Sequence, residues 1–175
     1  NKSGGVIKSN TNTITVTENS GTANNVTINN SGQISAGASS SGATSNNAIR
    51  SADDTDNVTV VNNIGGHIHN NNTSSTALNA ATVFIAANSS ATLTNSGTIE
   101  NKGGVDNYAI GLAGNGVTMT LKDDGKVIGK ISVAGGSTTA HIIKLQHGVG
   151  QAYFYDIDGS GAYTLQDLDG NPVVK

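Results

Sequence analysis

The pattern with the most chemical content in this chain is Asp156-Ile157-Asp158-Gly159-Ser160-Gly161, with Asp167 twelfth in the count. Oxygens at positions 1, 3 and 5, a glycine at 6 and a carboxylate at 12 form the spacing that wraps a calcium ion. Such a loop needs a helix on each side. Here the flanks, Tyr153-Phe154-Tyr155 and Tyr163-Thr164-Leu165, alternate like strands, so an Asp- and Gly-rich turn accounts for the same residues. Asp53, Asp54 and Asp56, with Arg50 nearby, are a second candidate. A carboxylate pair attacks a glycosidic bond when its members converge within about 5 to 10 Å in environments that separate their pKa values. Three acids crowded on one loop read more simply as a solvated turn, and a chain with no Trp and a single Arg lacks the usual platforms and bases of sugar chemistry. His67 and His69 flank Ile68 and share one strand face, a spacing that seats a metal only with a third ligand at hand. His141 and His147 show no partner pattern.

Thr-x-Thr recurs at Thr13/Thr15/Thr17, Thr92/Thr94 and Thr118/Thr120. A flat two-column grid of threonines on stacked strands would present hydroxyls with the regularity of ice. Thr27, Thr59, Thr92 and Thr118 fall in phase, but the column two residues on reads Asn29, Val61, Thr94 and Thr120. Half a grid is what ordinary outward β-branched residues give. Asn25-Val26-Thr27, Asn57-Val58-Thr59, Asn72-Thr73-Ser74 and Asn88-Ser89-Ser90 match a sugar-acceptor pattern. In so Asn- and Thr-rich a chain they arise by chance.

The elements that would hold these residues come from a repeat. Asn25-Val26-Thr27-Ile28-Asn29-Asn30-Ser31-Gly32-Gln33-Ile34 has echoes at Asn57–Ile68, Ala91–Ile99 and Val117–Val127, and Ser3-Gly4-Gly5-Val6 is the tail of another copy. Self-similarity at this period signals a solenoid, in which each unit buries its apolar face only against its neighbours. Three strand signals recur in fixed order. The first is Val26–Ile28, Val58–Val60, Ala91–Leu93 and Val117–Met119. The second is a Gly-x-Ile type ending at Val6, Ile34, Ile68, Ile99 and Val127. The third comprises Ala48-Ile49, Ala77-Leu78 and Ala109-Ile110, with Ile14-Thr15-Val16 in the equivalent place. From first to second signal the steps are 8, 10, 8 and 10 residues (Val26 to Ile34, Val58 to Ile68, Ala91 to Ile99, Val117 to Val127), nearly constant. The other connections vary and hold the Ser-, Gly- and Asp-rich runs Gly37–Asn47, Ser51–Asn57 and Asn70–Thr76.

Period-two alternation marks strands, and no 3.6-residue stripe competes. The expected fold is all-β: a right-handed parallel β-helix, or β-solenoid, with three short strands per rung and about four or five rungs. Gly32, Gly66, Gly97 and Gly125 fit a corner with positive φ or close backbone approach. Asn62-Asn63 and Asn95-Ser96 fit left-handed turn positions and side-chain ladders. Composition changes near residue 130. Asn occurs only at Asn171 after residue 115, and Tyr153, Phe154, Tyr155 and Tyr163 cluster. Residues 1–130 are therefore expected to be the repeats and 131–175 a C-terminal capping β region. Its hairpin turns would be Gly148-Val149-Gly150, Asp158-Gly159-Ser160-Gly161 and Asp169-Gly170-Asn171.

The Val-Thr-x-Asn-Ser-Gly-x-Ile repeats resemble the passenger regions of bacterial autotransporters (type V secretion). Tyr153-Phe154-Tyr155-Asp156-Ile157-Asp158-Gly159 and Leu165-Gln166-Asp167-Leu168-Asp169-Gly170 resemble the junction that closes such β-helices before the membrane barrel. The resemblance implies secretion across the outer membrane and an extracellular place on the bacterial cell surface, as adhesin or stalk. No signal segment is visible and the chain opens in mid-repeat, as an excised segment would.

Composition narrows the function. Charged residues are 12%, aromatics 3% and the net charge is −3, so the core is thin and no basic surface recruits nucleic acid. No stretch of about 18 apolar residues is present to span a bilayer. The absence of Cys removes disulfides and thiolate metal sites. The expected function is a non-catalytic, surface-displayed or secreted stalk or adhesin. It would meet a host, cell-surface or glycan receptor through its variable loops and need no cofactor or metal. A self-assembling filament or surface-layer subunit, stacked end to end, is the alternative, and a polysaccharide-active enzyme the third reading. No residue is assigned a catalytic, cofactor-binding or metal role.

Overall fold

Alternating β-branched residues pair along their whole length only if each strand finds a neighbour of the same pattern, and here that neighbour is the next copy of the repeat. The computed structural model describes residues 1–17, 25–37, 46–51, 57–72, 78–86, 91–135, 138–147 and 153–173. The strands form three parallel sheets, visited in turn, which is a β-solenoid with three strands per rung. The first sheet holds Val6–Ser9, Gln33–Ala36, His67–Asn70, Thr98–Asn101 and Lys126–Ile128. The second holds Ile14–Val16, Ile49–Ser51, Val83–Ile85, Tyr108–Leu112, Lys130–Val133 and Ile157–Asp158. The third holds Asn25–Asn30, Asn57–Asn62, Thr92–Asn95, Thr118–Lys122, His141–Gln146 and Tyr163–Gln166.

The core is a set of vertical columns. In the first sheet Ile7, Ile34, Ile68, Ile99 and Val127 stack in register. In the second, Ile14, Ile49, Val83, Ile110, Ile131 and Ile157 do the same. In the third the column reads Ile28, Val60, Leu93, Met119, Ile143 and Leu165. The middle members are fully buried, each contributing about 2 kcal/mol of apolar transfer.

The near-constant corner, from third sheet to first, has its own inward column. Asn1 Nδ2 donates to Asn30 Oδ1 (3.0 Å), Asn30 Nδ2 to Asn62 Oδ1 (2.8 Å) and Asn62 Nδ2 to Asn95 Oδ1 (2.8 Å). Asn95 Nδ2 ends the run on Lys126 O (3.1 Å), because Leu121 takes the place of the amide one rung on. Asn30, Asn62 and Asn95 are wholly buried, and the ladder satisfies amides that would otherwise cost heavily there. The glycines of this corner serve close approach. A methyl on Gly97 would meet the carbonyls of Gly66 and Asn63 and the Asn62 amide. Positive φ falls elsewhere, on Gly4 and Gly65 in the longer corners. Asn62, Asn63, Asn95 and Ser96 do not take the expected left-handed turn; among the described non-glycine residues only Asp123 does, at φ 55°. The expected side-chain ladder does form, through Asn62 and Asn95, while Asn63 Nδ2 donates to Ser31 Oγ at 3.0 Å.

Three further expectations are corrected. In the first rung Ile7, not Val6, stands over Ile34, because Gly5 and not Gly4 occupies the crowded corner, and Val6 points outward. Ala77 lies outside the described residues, and Leu78–Ala80 is a 3-10 turn; the strand of that rung is Val83–Ile85, whose Val83 and Ile85 both enter the core. Leu78 instead covers the outer side of the second sheet, close against Gly111. After residue 130 the same three sheets continue with parallel strands, and Asp158–Gly161 is a corner between two sheets, not a hairpin turn. Among the described residues a hairpin return survives only after residue 166. Gln166 and Pro172 form an antiparallel bridge, and Val173 N–H donates to Leu165 O (3.0 Å) around the turn at Asp169-Gly170-Asn171. Gly148-Val149-Gly150 lies outside the described residues.

Candidate functional site

The carboxylates of the calcium-like spacing are drawn apart by the fold. Asp156 and Asp158 flank the inward Ile157 and so point out from the second sheet. There Asp156 Oδ2 lies 3.9 Å from Lys130 Nζ, and Asp158 Oδ2 accepts the Tyr108 hydroxyl at 3.1 Å. Asp167 belongs to the terminal turn, where its two oxygens accept the backbone N–H and the side-chain amide of Asn171, both at 2.8 Å. Those hydrogen bonds hold its carboxyl below the usual carboxylate range. Among the described residues no three His, Asp or Glu side chains are placed to share a metal ion.

Asp53, Asp54 and Asp56 lie outside the described residues. Arg50 is described: its guanidinium sits 5.0 Å over the Phe84 ring and reaches Asn47 Oδ1 at 3.4 Å, an arrangement that stabilises the outer face of the second sheet. His67 and His69 do share the outer face of the first sheet, with ring centroids 4.6 Å apart. Glu100 meets His67 Nε2 at 3.0 Å. His69 is only 3% exposed. Burial, then the charges of Lys102 and His67, lower its pKa to about 4 against the opposing pull of Glu100. The pair is thus a neutral ring beside a hydrogen-bonded one. The threonine column is real: Thr27, Thr59, Thr92 and Thr118 stand in register, followed by Ile142. Beside it run Asn29, Val61, Thr94, Thr120 and Lys144, so the outer face is mixed.

Two C-terminal features escaped the sequence reading. One is a ring stack. His147 lies 3.8 Å from Tyr153 and 5.7 Å from Tyr155 between centroids, and its Nε2 meets the Tyr155 hydroxyl at 2.8 Å. Its Nδ1 reaches Asp123 O at 3.1 Å, which ties this stack to the corner of the preceding rung. Burial raises the Tyr155 hydroxyl well above its ordinary pKa. The other is a groove of about 330 Å3 lined by the apolar side chains of Val105, Val127, Ile128 and Phe154 and by the acidic Asp106 and Asp156. Phe154 is 91% exposed, Val105 70% and Ile128 39%. The alternation in Tyr153-Phe154-Tyr155 is the signal that turns Phe154 outward while Tyr155 packs against the core and Tyr153 stacks on His147. Val105, set in the Gly103-Gly104-Val105-Asp106 turn, carries no comparable signal.

Among the described residues no helix is long and apolar enough to cross a membrane. Comparison with protein-family models, curated proteins and solved structures gives no match.

Proposed function

We propose that this chain is a non-catalytic β-solenoid that works as a rigid stalk and contact surface, displayed on a bacterial cell or secreted, as a passenger segment of the autotransporter type. The observation that carries the reading is the division of labour between inward and outward positions. Aliphatic columns run from rung to rung, and a buried amide ladder links Asn1, Asn30, Asn62 and Asn95. The outward positions carry threonines, asparagines and other residues that do not repeat a reactive set. Strength therefore lies in the repeat, and any contact lies in side chains that differ between rungs.

Each rung adds about 4.8 Å, so the fold gains reach with little sequence. Beads coated with the purified chain should attach to host cells or glycan surfaces, and the chain on its native cells should be removed by external protease. Intact cells that keep it inside, or beads that bind no better than an albumin control, would refute display and adhesion respectively. The alternative is end-to-end assembly as a filament or surface-layer subunit. Sedimentation should return a monomeric rod, and filaments would reverse that preference.

A further inference from the structure

The groove between Val105, Ile128 and Phe154 is assembled from three successive rungs, and its chemistry is more specific than that of the rod around it. Its walls are aliphatic and aromatic, which suits a long apolar stem. The Phe154 ring is almost wholly accessible, so its π face is open to a cation. Two of the lining residues, Asp106 and Asp156, are acidic and none is basic. Lys130, outside the lining, holds Asp156 only loosely at 3.9 Å, and Tyr108 with Asp158 adds a further acid on the neighbouring strand. A groove lined by apolar side chains, two carboxylates and an open ring matches one kind of side chain: a hydrocarbon stem bearing a delocalised positive charge.

We propose that this groove is a docking site for an extended segment of a partner protein, which inserts an arginine side chain along Val105 and Ile128 and places its guanidinium over Phe154 between Asp106 and Asp156. The carboxylates select the charge, and the aliphatic walls exclude water from the stem. Arginine is favoured over lysine because a planar, weakly hydrated guanidinium stacks on a ring and pairs with carboxylates at once. The site deepens the reading of the chain as a contact-making rod and rests on it. Binding to the isolated chain does not require display, however, so failure here leaves the rod reading intact, and failure of display leaves this site testable.

The probe is a blocked hexapeptide with one arginine between valines, compared with the same peptide carrying citrulline, the neutral isostere, at that position. Titration into isotopically labelled protein, followed by NMR, should give saturable shifts at the Val105 and Ile128 methyls and the Phe154 ring. Citrulline should weaken binding at least about five-fold, as should Phe154→Ala and the pair Asp106→Asn with Asp156→Asn, in line with a cation–π contact and a charge pair of about 1 kcal/mol each. Raising salt should weaken the arginine peptide and not the citrulline one. The altered side chains are exposed, so circular dichroism of the variants should match the parent. Equal binding of the two peptides, or no shift at these groups at millimolar peptide, overturns the proposal. So does a neutral oligosaccharide that shifts the same groups in a Phe154-dependent way, or a dimer that Phe154→Ala dissolves.

Discussion

Replacing Asn62 with alanine removes the centre of the amide ladder, and the structure gives the size of the loss. Asn62 is fully buried; it donates to Asn95 Oδ1 at 2.8 Å and to Thr98 O at 3.2 Å, and accepts from Asn30 Nδ2 at 2.8 Å. Two amide–amide bonds at about 1 kcal/mol each are lost, and Asn95 Oδ1 loses its ladder donor without gaining water. The void left by the side chain adds about 1 kcal/mol. The expected cost is about 3 kcal/mol, a large part of the 5 to 15 kcal/mol typical of a domain. Asn57→Ala is the control: its amide also bridges to an Asn one rung away, Asn25, at 2.9 Å, but in solvent. That variant should change stability by less than about 0.5 kcal/mol. Urea denaturation followed by far-ultraviolet circular dichroism measures both, and a second transition in Asn62→Ala would show the rod breaking at the altered rung. Asn62→Leu separates hydrogen bonding from filling, since Leu121 occupies the same column directly after Asn95. A leucine variant as stable as the parent, or an alanine variant no worse than Asn57→Ala, would refute the ladder as a source of stability.

Other outcomes follow from the corners and the rings. Gly97→Ala should destabilise by at least about 2 kcal/mol through backbone crowding, against about 1 kcal/mol for Gly65→Ala, where φ is +78° but the space is open; thermal melts rank the two. Acidification should weaken the fold. The pKa of His69 lies at about 4 and that of His141 is lowered by burial, both below the unfolded value near 6.5. The unfolded chain therefore binds more protons between these values, and stability present above pH 6.5 is lost as pH falls toward 4. The His69 share is about 1 to 2 kcal/mol once solvent screening around Lys102 and Glu100 is allowed for, and His69→Gln should remove it from the pH profile of urea midpoints. Tyr155→Phe should cost about 1 kcal/mol and speed amide exchange in the last two rungs, with the early rungs unchanged.

The solenoid was legible because its evidence is repetition, and the inward columns at Ile34, Ile68 and Ile99 sit where a Gly-x-Ile rhythm puts them. Where the rhythm offered two choices, packing decided. Gly4 and Gly5 are equivalent in sequence, but only Gly5 fits under Gly32. Leu78 looked like a core residue because it is apolar, yet Val83 and Ile85 keep the alternation and so take the strand. His141 gave no sign of its place: it follows Val117 into an inner column, where its Nδ1 accepts the Val117 N–H at 3.2 Å. The groove was hidden for a different reason. Val105, Ile128 and Phe154 lie in separate rungs, and nothing local in any of them records the other two.

The ladder also has a direction. From Asn1 to Asn30, Asn62 and Asn95 every amide gives its hydrogen to the next, across sequence steps of 29, 32 and 33 residues. A segment cut from one such asparagine to the next begins with a free acceptor and ends with a free donor, so a copy spliced in beside it joins without an unpaired group. A duplication out of this frame would bury a mismatched amide. Such a gene can lengthen or shorten its rod by whole cassettes in single recombination events, and Leu121, which carries no amide, marks where the ladder stops.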